Sequence, residues 1–444
     1  MANKFTRLHI GEIVVSTGIN TLKKLNMVAV ENAVENYLTF SSPNSFTLSV
    51  VDNKKYWNGT LEYSTNANDW VAWDGTTALS ASNGVLYMRG LGNTYITGES
   101  ASAKAGKWTL NGSNISISGN IENLLDYAIV ANGEHPAMGT WCYAYMFHKC
   151  TSITTAPELP ATTLATYCYH SMFNRCTGLT SVPALPATTL ADYCYAYMFQ
   201  GCTSLTSTPE LPATTLAAYC YRYMFQGCTS LTSAPELLAT TLAPHCYGYM
   251  FQGCKGLTTA PELPATTLAD YCYQFMFHSC TGLTITPELP ATTLASNCYA
   301  NMFQGCTSLT SVPALPATAL ANYCYANMFQ NCTSLTSVPA LPATTLANYC
   351  YRSMFNSCTG LTSVPALPAT ALAKYCYAYM FQNCTSIKIS TSNTGDYVTQ
   401  YRIPTSGTGT TATSALTNMF YGTGGSFKST PSINTTYYTS NKVV

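Results

Sequence analysis

LPATTLADYCYAYMFQGCTSLTSTPE, running from Leu185 to Glu210, is one copy of a pattern that returns ten times without a slip. Its two cysteines set the phase. The first series runs Cys142, Cys168, Cys194 and onward to Cys376, and each member has a partner eight residues later, from Cys150 to Cys384. All 20 cysteines fall on this 26-residue lattice. A strict period without insertions places each unit in an equivalent position of a stack, which is the signature of a solenoid. One unit cannot bury its Leu, Cys, Met and Phe against itself, so it needs a neighbour on either side.

Within the unit, Leu190, Cys194 and Met198 recur every four residues with Tyr195 and Phe199 beside them. That spacing predicts one face of a short helix, with Thr188 or Thr189 as its cap. The segment from Leu205 to Pro209 is β-branched and polar, and it predicts a strand that the proline ends. Stacked units would then form a parallel sheet on one face and helices on the other, joined by right-handed crossovers. The expected fold is an α/β solenoid of ten units whose core includes Cys142, Cys150, Leu190, Cys194, Met198 and Cys202.

The string MFxxCTxLTSxPxLPATTLAxYCY resembles the BspA-like leucine-rich repeats of bacterial surface proteins. The likeness is to the Cys- and Tyr-rich variety carried by gut Bacteroidales and by phages that infect them, and it covers about Met138 to Ile389. The resemblance implies a leucine-rich-repeat fold and a role in adhesion, partner binding or virion decoration. It departs from the general leucine-rich pattern in one respect: Cys202 stands three residues before Leu205 rather than two.

Outside the array the patterns change. Residues 1–36, with Lys4, Arg7, Lys23 and Lys24 set against Glu12, read as an arm that docks on another subunit or packs on the next domain. From 37 to 120, alternation at Phe46-Leu48-Val50, Leu61-Tyr63, Leu86-Met88, Trp108-Leu110 and Ile115-Ile117 is punctuated by Asn-Gly turns. A small antiparallel β-sandwich is expected there. Residues 121–389 form the solenoid, beginning with a degenerate helical unit at 121–139. Residues 390–444 supply a closing cap, in which Ser414 to Phe420 echoes the repeat but Thr423 stands where the second cysteine would fall.

Composition excludes several functions. Only 9% of residues are charged and the formal net charge is zero, so nothing attracts nucleic acid electrostatically. No apolar run approaches the roughly 18 residues that a membrane span needs. The N-terminal sequence lacks the pattern of a secretion signal, which suggests folding in a reducing cytoplasm. The cysteines have no clustered zinc spacing and are expected to be buried free thiols. The six histidines share no metal or triad spacing, and there is no phosphate loop, HExxH or nucleophile elbow. No enzyme activity and no cofactor is expected.

Variation among units marks a candidate binding surface. Tyr145, Tyr197, Tyr223, Tyr249 and Phe275 share one slot and could form an aromatic ladder for sugars or a protein partner, or could simply cover the layer beneath. Glu210, Glu236, Glu262 and Glu288 form a second column, suited to a cation or basic partner or to plain solvent exposure. The expected function is a non-enzymatic phage virion surface protein, a head or tail fibre or decoration. Its N-terminal region would attach to capsid or tail subunits and its solenoid would meet a host glycan or protein; a homo-oligomer is compatible with this. The alternative is a bacterial cell-surface adhesin.

Overall fold

In the computed structural model, residues 36–100 and 106–444 are described in full, together with the backbone of two strands nearer the N-terminus. Those strands, β1 (Val14–Thr17) and β2 (Thr21–Lys24), pair antiparallel within a unit comprising residues 1–36. The docking-arm expectation otherwise lies outside the described residues. Residues 37–444 form the second unit.

The sandwich uses two sheets. One contains β3 (Leu38–Ser41), β5 (Thr60–Ser64), β6 (Val71–Trp73), β8 (Val85–Leu91) and β10 (Ile115–Ser118). The other contains β4 (Phe46–Val50), β7 (Leu79–Ala81) and β9 (Trp108–Asn111). The alternating apolar residues point inward, and Phe40 and Trp73 from the first sheet meet Trp108 of the second at 6.3 and 5.7 Å between ring centroids. The helix α1 (Asn123–Ala131) lies within the helical segment expected at 121–139. It packs on β8, and just beyond that strand Asn93 donates its side-chain amide to Leu124 O at 2.9 Å and its backbone N–H to Leu125 O at 2.9 Å. This approach requires Gly90, because a Cβ there would lie 2.0 Å from Leu124 O.

The repeat units contain no α-helix, which corrects the helical expectation. From Tyr193 to Cys202 the chain is a spiral of tight turns with left-handed φ at Tyr193 (58°), Tyr197 (60°) and Gly201 (72°). Cys194, Ala196, Met198, Gln200 and Cys202 donate their N–H groups to carbonyls three residues back. Tyr193, Tyr195, Tyr197, Phe199 and Gly201 donate theirs to Ala218, Cys220, Arg222, Met224 and Gln226 of the next unit. Alternate residues therefore bond within the turn and between units, so this backbone is satisfied without a helix or an extended strand. The four-residue period mimics a helical face in sequence. In a true helix, side chains four apart drift by about 40° because a turn holds 3.6 residues.

The expected parallel sheet is also much reduced. The repeats contribute only the short strands β11 (Ile153–Thr155), β12 (Ser363–Val364) and β13 (Ile389–Ser390), together with a row of isolated parallel bridges such as Thr241 with Thr267. The prolines after each Thr-Ser segment lack an N–H and prevent a longer ladder. Threonines fill the gap: Thr232 donates both its backbone N–H and its hydroxyl to Thr206 O.

Both ends of the stack are closed by substitutes for a repeat. At the start, Trp108 N–H donates to Met146 O at 2.7 Å, and Ile96 N–H donates to Cys142 O at 2.9 Å. The Cys150 thiol donates to Trp108 O just as the Cys176 thiol donates to Phe147 O. Trp108 thus holds the place of a preceding phenylalanine, and β11 pairs parallel with β10, extending the sandwich sheet into the array. At the far end, Tyr375, Tyr377, Tyr379, Phe381 and Asn383 donate to carbonyls between Thr413 and Tyr421. The remaining strands are β14 (Thr399–Arg402), β15 (Thr436–Thr439) and β16 (Lys442–Val443). The last of these pairs with β12.

Two stability outcomes follow from this geometry. Gly227 has φ +73°, and an added Cβ would meet nothing closer than 3.8 Å. Gly227→Ala should therefore lose about 1–2 kcal/mol from backbone strain alone, whereas Asn331→Gly, at φ 63°, should not lose stability; urea denaturation measures both. Trp108→Ala should cost about 3–5 kcal/mol, as large aromatic truncations in a core do, and should lower the urea midpoint.

Candidate functional site

Each turn spiral sends its Cys-Tyr and Met-Phe pairs inward. Cys194, Tyr195, Met198, Phe199 and Cys202 are buried, as are Cys142 and Cys150, while Leu190 is partly buried against the core. All 20 cysteines are free and buried. Burial pushes the Cys194 and Cys202 thiols up to about 12. A thiol so protonated is neither a nucleophile nor a metal ligand at neutral pH. Among the described residues, no group of three His, Cys, Asp or Glu side chains could hold a metal ion.

Repeating one residue at one place in each unit builds columns. The buried Tyr143-to-Tyr377 and Phe147-to-Phe420 columns stack at 5.5–6.0 Å between centroids. Two further columns are half-buried and reach the surface. Tyr197, Tyr223, Tyr249 and Phe275 form a continuous ladder at 4.4–4.6 Å, with planes tilted by at most 18°. Tyr145 stands apart from them, because Ser171 interrupts the column and His170 lies 5.2 Å from both Tyr145 and Tyr197.

The second surface column was not anticipated. Trp141, Tyr167, Tyr193, Tyr219, His245 and Tyr271 stack at 4.1–4.6 Å, and Tyr323, Tyr349 and Tyr375 resume the column beyond Asn297. The signal lay in the aromatic residue directly before the first cysteine, which a helical reading left without a face. Arg222 joins the two columns, its guanidinium carbon 4.8 Å from the Tyr223 centroid and 5.4 Å from those of Tyr219 and Tyr249. Burial pushes the Tyr193 and Tyr249 phenols up to about 12, so these rings stay uncharged.

Beside the ladder runs a column of amides. Asn174 donates to Gln200 at 2.5 Å, Gln200 to Gln226, Gln226 to Gln252, and Gln252 Nε2 lies 3.0 Å from His278 Nδ1. Where Ser171 breaks the aromatic column, a cleft of about 580 Å³ opens between Tyr145 and Tyr197, lined also by Lys107, His148, Asn174 and Gln200. Glu210, Glu236, Glu262 and Glu288 lie exposed on the strand side, away from any of these rings in sequence and not among the residues of the cleft.

Burial, and secondarily Lys107, Lys149 and Arg175, lower His148 from 6.5 to about 4. The unfolded chain therefore binds this proton more tightly, and the associated stability is complete above about pH 6.5 and is lost as pH falls toward 4. His245 and His278 shift in the same direction. The urea midpoint should fall between pH 7 and pH 4.5, and His148→Gln, which places the column's own residue there, should reduce that fall.

The sequence matches the family model described as BspA type leucine-rich repeat region, in overlapping matches over residues 140–284, 196–327, 245–357, 273–403 and 324–441. No curated protein and no solved structure is matched by the chain. With more than half its length under that model and its units stacked one on another in the folded chain, the protein belongs to the BspA-type leucine-rich-repeat family.

Proposed function

We propose that this is a non-enzymatic surface protein that binds glycans along its exposed aromatic columns. BspA-type repeats mark a surface, adhesion-type protein. The observation that carries the glycan reading is the Tyr197–Phe275 ladder: uncharged, half-buried rings at a regular 4.4–4.6 Å whose faces cover one another, so that the ring edges and phenol hydroxyls, with the row of amides beside them, are what can exchange contacts and hydrogen bonds with sugar hydroxyls. A repeated surface also suits weak contacts multiplied along a polymer.

The carrier we propose is a phage particle, with the N-terminal region attached to capsid or tail subunits and the solenoid presented to the host. Two points support it: the likeness of the Cys- and Tyr-rich unit to repeats carried by phages of gut Bacteroidales, and 20 reduced thiols suited to folding in a reducing cytoplasm. Among the described residues, no helix is long and apolar enough to cross a membrane. The second reading, a bacterial cell-surface adhesin, rests on the same family membership.

Purified phage particles should contain the protein by mass spectrometry; its recovery only from bacterial envelopes would favour the adhesin. On immobilised host polysaccharide, the double variant Tyr223→Ala/Tyr249→Ala should bind about tenfold more weakly, near 1.4 kcal/mol. Equal binding would remove the ladder from the account.

A further inference from the structure

The cleft at the break in the aromatic column differs chemically from the ladder beside it. Its sides are Tyr145 and Tyr197, which Ser171 leaves unstacked on one another, and the His170 ring, 5.2 Å from each, lies between them as part of the lining. Its volume, about 580 Å³, falls within the range of small-ligand sites. Asn174 is only 5% exposed and heads the amide column, so its amide nitrogen is engaged by Gln200 while its Oδ1 has no hydrogen-bond partner. His148 precedes it in the column and its Nδ1 is likewise buried without a partner. An acceptor lacking a donor beside an unengaged ring nitrogen is a place for a hydroxyl, which can donate to one and accept from the other. Lys107 lines the same cleft and no acidic side chain does, while Lys149 and Arg175 are close enough to act on His148.

We propose that this cleft is a subsite for a carboxylate-bearing pyranose, Tyr145 and Tyr197 flanking it above the His170 ring, Asn174 and His148 holding its hydroxyls, and Lys107 its carboxylate. The proposal rests on the glycan-binding reading and narrows it to anionic glycans at the N-terminal end of the array. The other units differ locally: where Tyr197, Tyr223, Tyr249 and Phe275 follow one another each ring is covered by the next, and beyond Phe275 the slot holds Asn301, Asn327 and Ser353, so no single gap there is flanked by two rings.

The test uses the whole chain with a glucuronyl-glucose disaccharide, its methyl ester, and cellobiose, measured by calorimetry and saturation-transfer NMR. The acid should bind, the ester about fivefold more weakly, as for one partly solvated ion pair, and Lys107→Met should bring the acid down to the ester's level. The double variant His170→Ala/Ser171→Tyr gives this unit the sequence CYAYMF that units at 142–147, 194–199 and 376–381 already carry, so it folds as they do and fills the cleft. It should lose the disaccharide. Undiminished disaccharide binding by that variant, or equal binding of acid and ester, would overturn the proposal. If polysaccharide binds wild type and this variant alike while the disaccharide binds neither, the cleft assignment fails and the ladder reading stands. If no glycan binds any form, both fail.

Discussion

The hydrogen-bond ladder between successive turn spirals holds the array in place. Five N–H groups of each unit, such as those of Tyr193, Tyr195, Tyr197, Phe199 and Gly201, reach carbonyls of the next, and the alternate five close turns within their own unit. Left-handed backbone every fourth residue makes this possible, and for side chains other than glycine it costs about 1–2 kcal/mol per residue. That strain is offset only in the stack, where each unit gains five intermolecular-like bonds worth about 1 kcal/mol apiece together with buried Tyr, Met, Phe and Cys. An isolated unit has neither gain, so length and capping are conditions of folding.

The same ladder turns a repeated letter into a column. Because each unit is displaced from the last by a fixed step, a tyrosine at one place becomes a stack of tyrosines, and a glutamine becomes a chain of amides handing a hydrogen bond from Asn174 through to Gln252. The thiols gain their role in this way too: the Cys176 thiol donates to Phe147 O, and its successors repeat the bond in unit after unit. Cysteine is used here as a small, buried donor between layers.

Local chemistry on such a scaffold varies through departures from regularity. Ser171 interrupts the inner aromatic column, Asn297 divides the outer one, and Arg222 lies across three tyrosines. Each departure sits on a backbone that does not change, so a surface of uniform stacking acquires distinct places without cost to the core.

The cysteine lattice made the stack, its period and its extent legible from sequence, because a strict 26-residue repeat of buried residue types admits only equivalent packing. The strands at Phe46 to Val50 and Ile115 to Ile117 were legible through two-residue alternation, and the slot shared by Tyr197 and Tyr223 through the 26-residue period. What the letters could not separate was a helix from a four-residue turn spiral, since Leu190, Cys194 and Met198 line one face of either. The glycine, asparagine and serine before the second cysteine, as at Gly201, Asn331 and Ser279, carried the left-handed signature, yet in most units tyrosine occupies one or both of the equivalent earlier positions and masks it. Only the folded stack decided between them, because the bonds that favour left-handed turns over a helix run to another unit 25 residues away. The second aromatic column and the cleft at Ser171 likewise exist only between units, where rings from different copies meet.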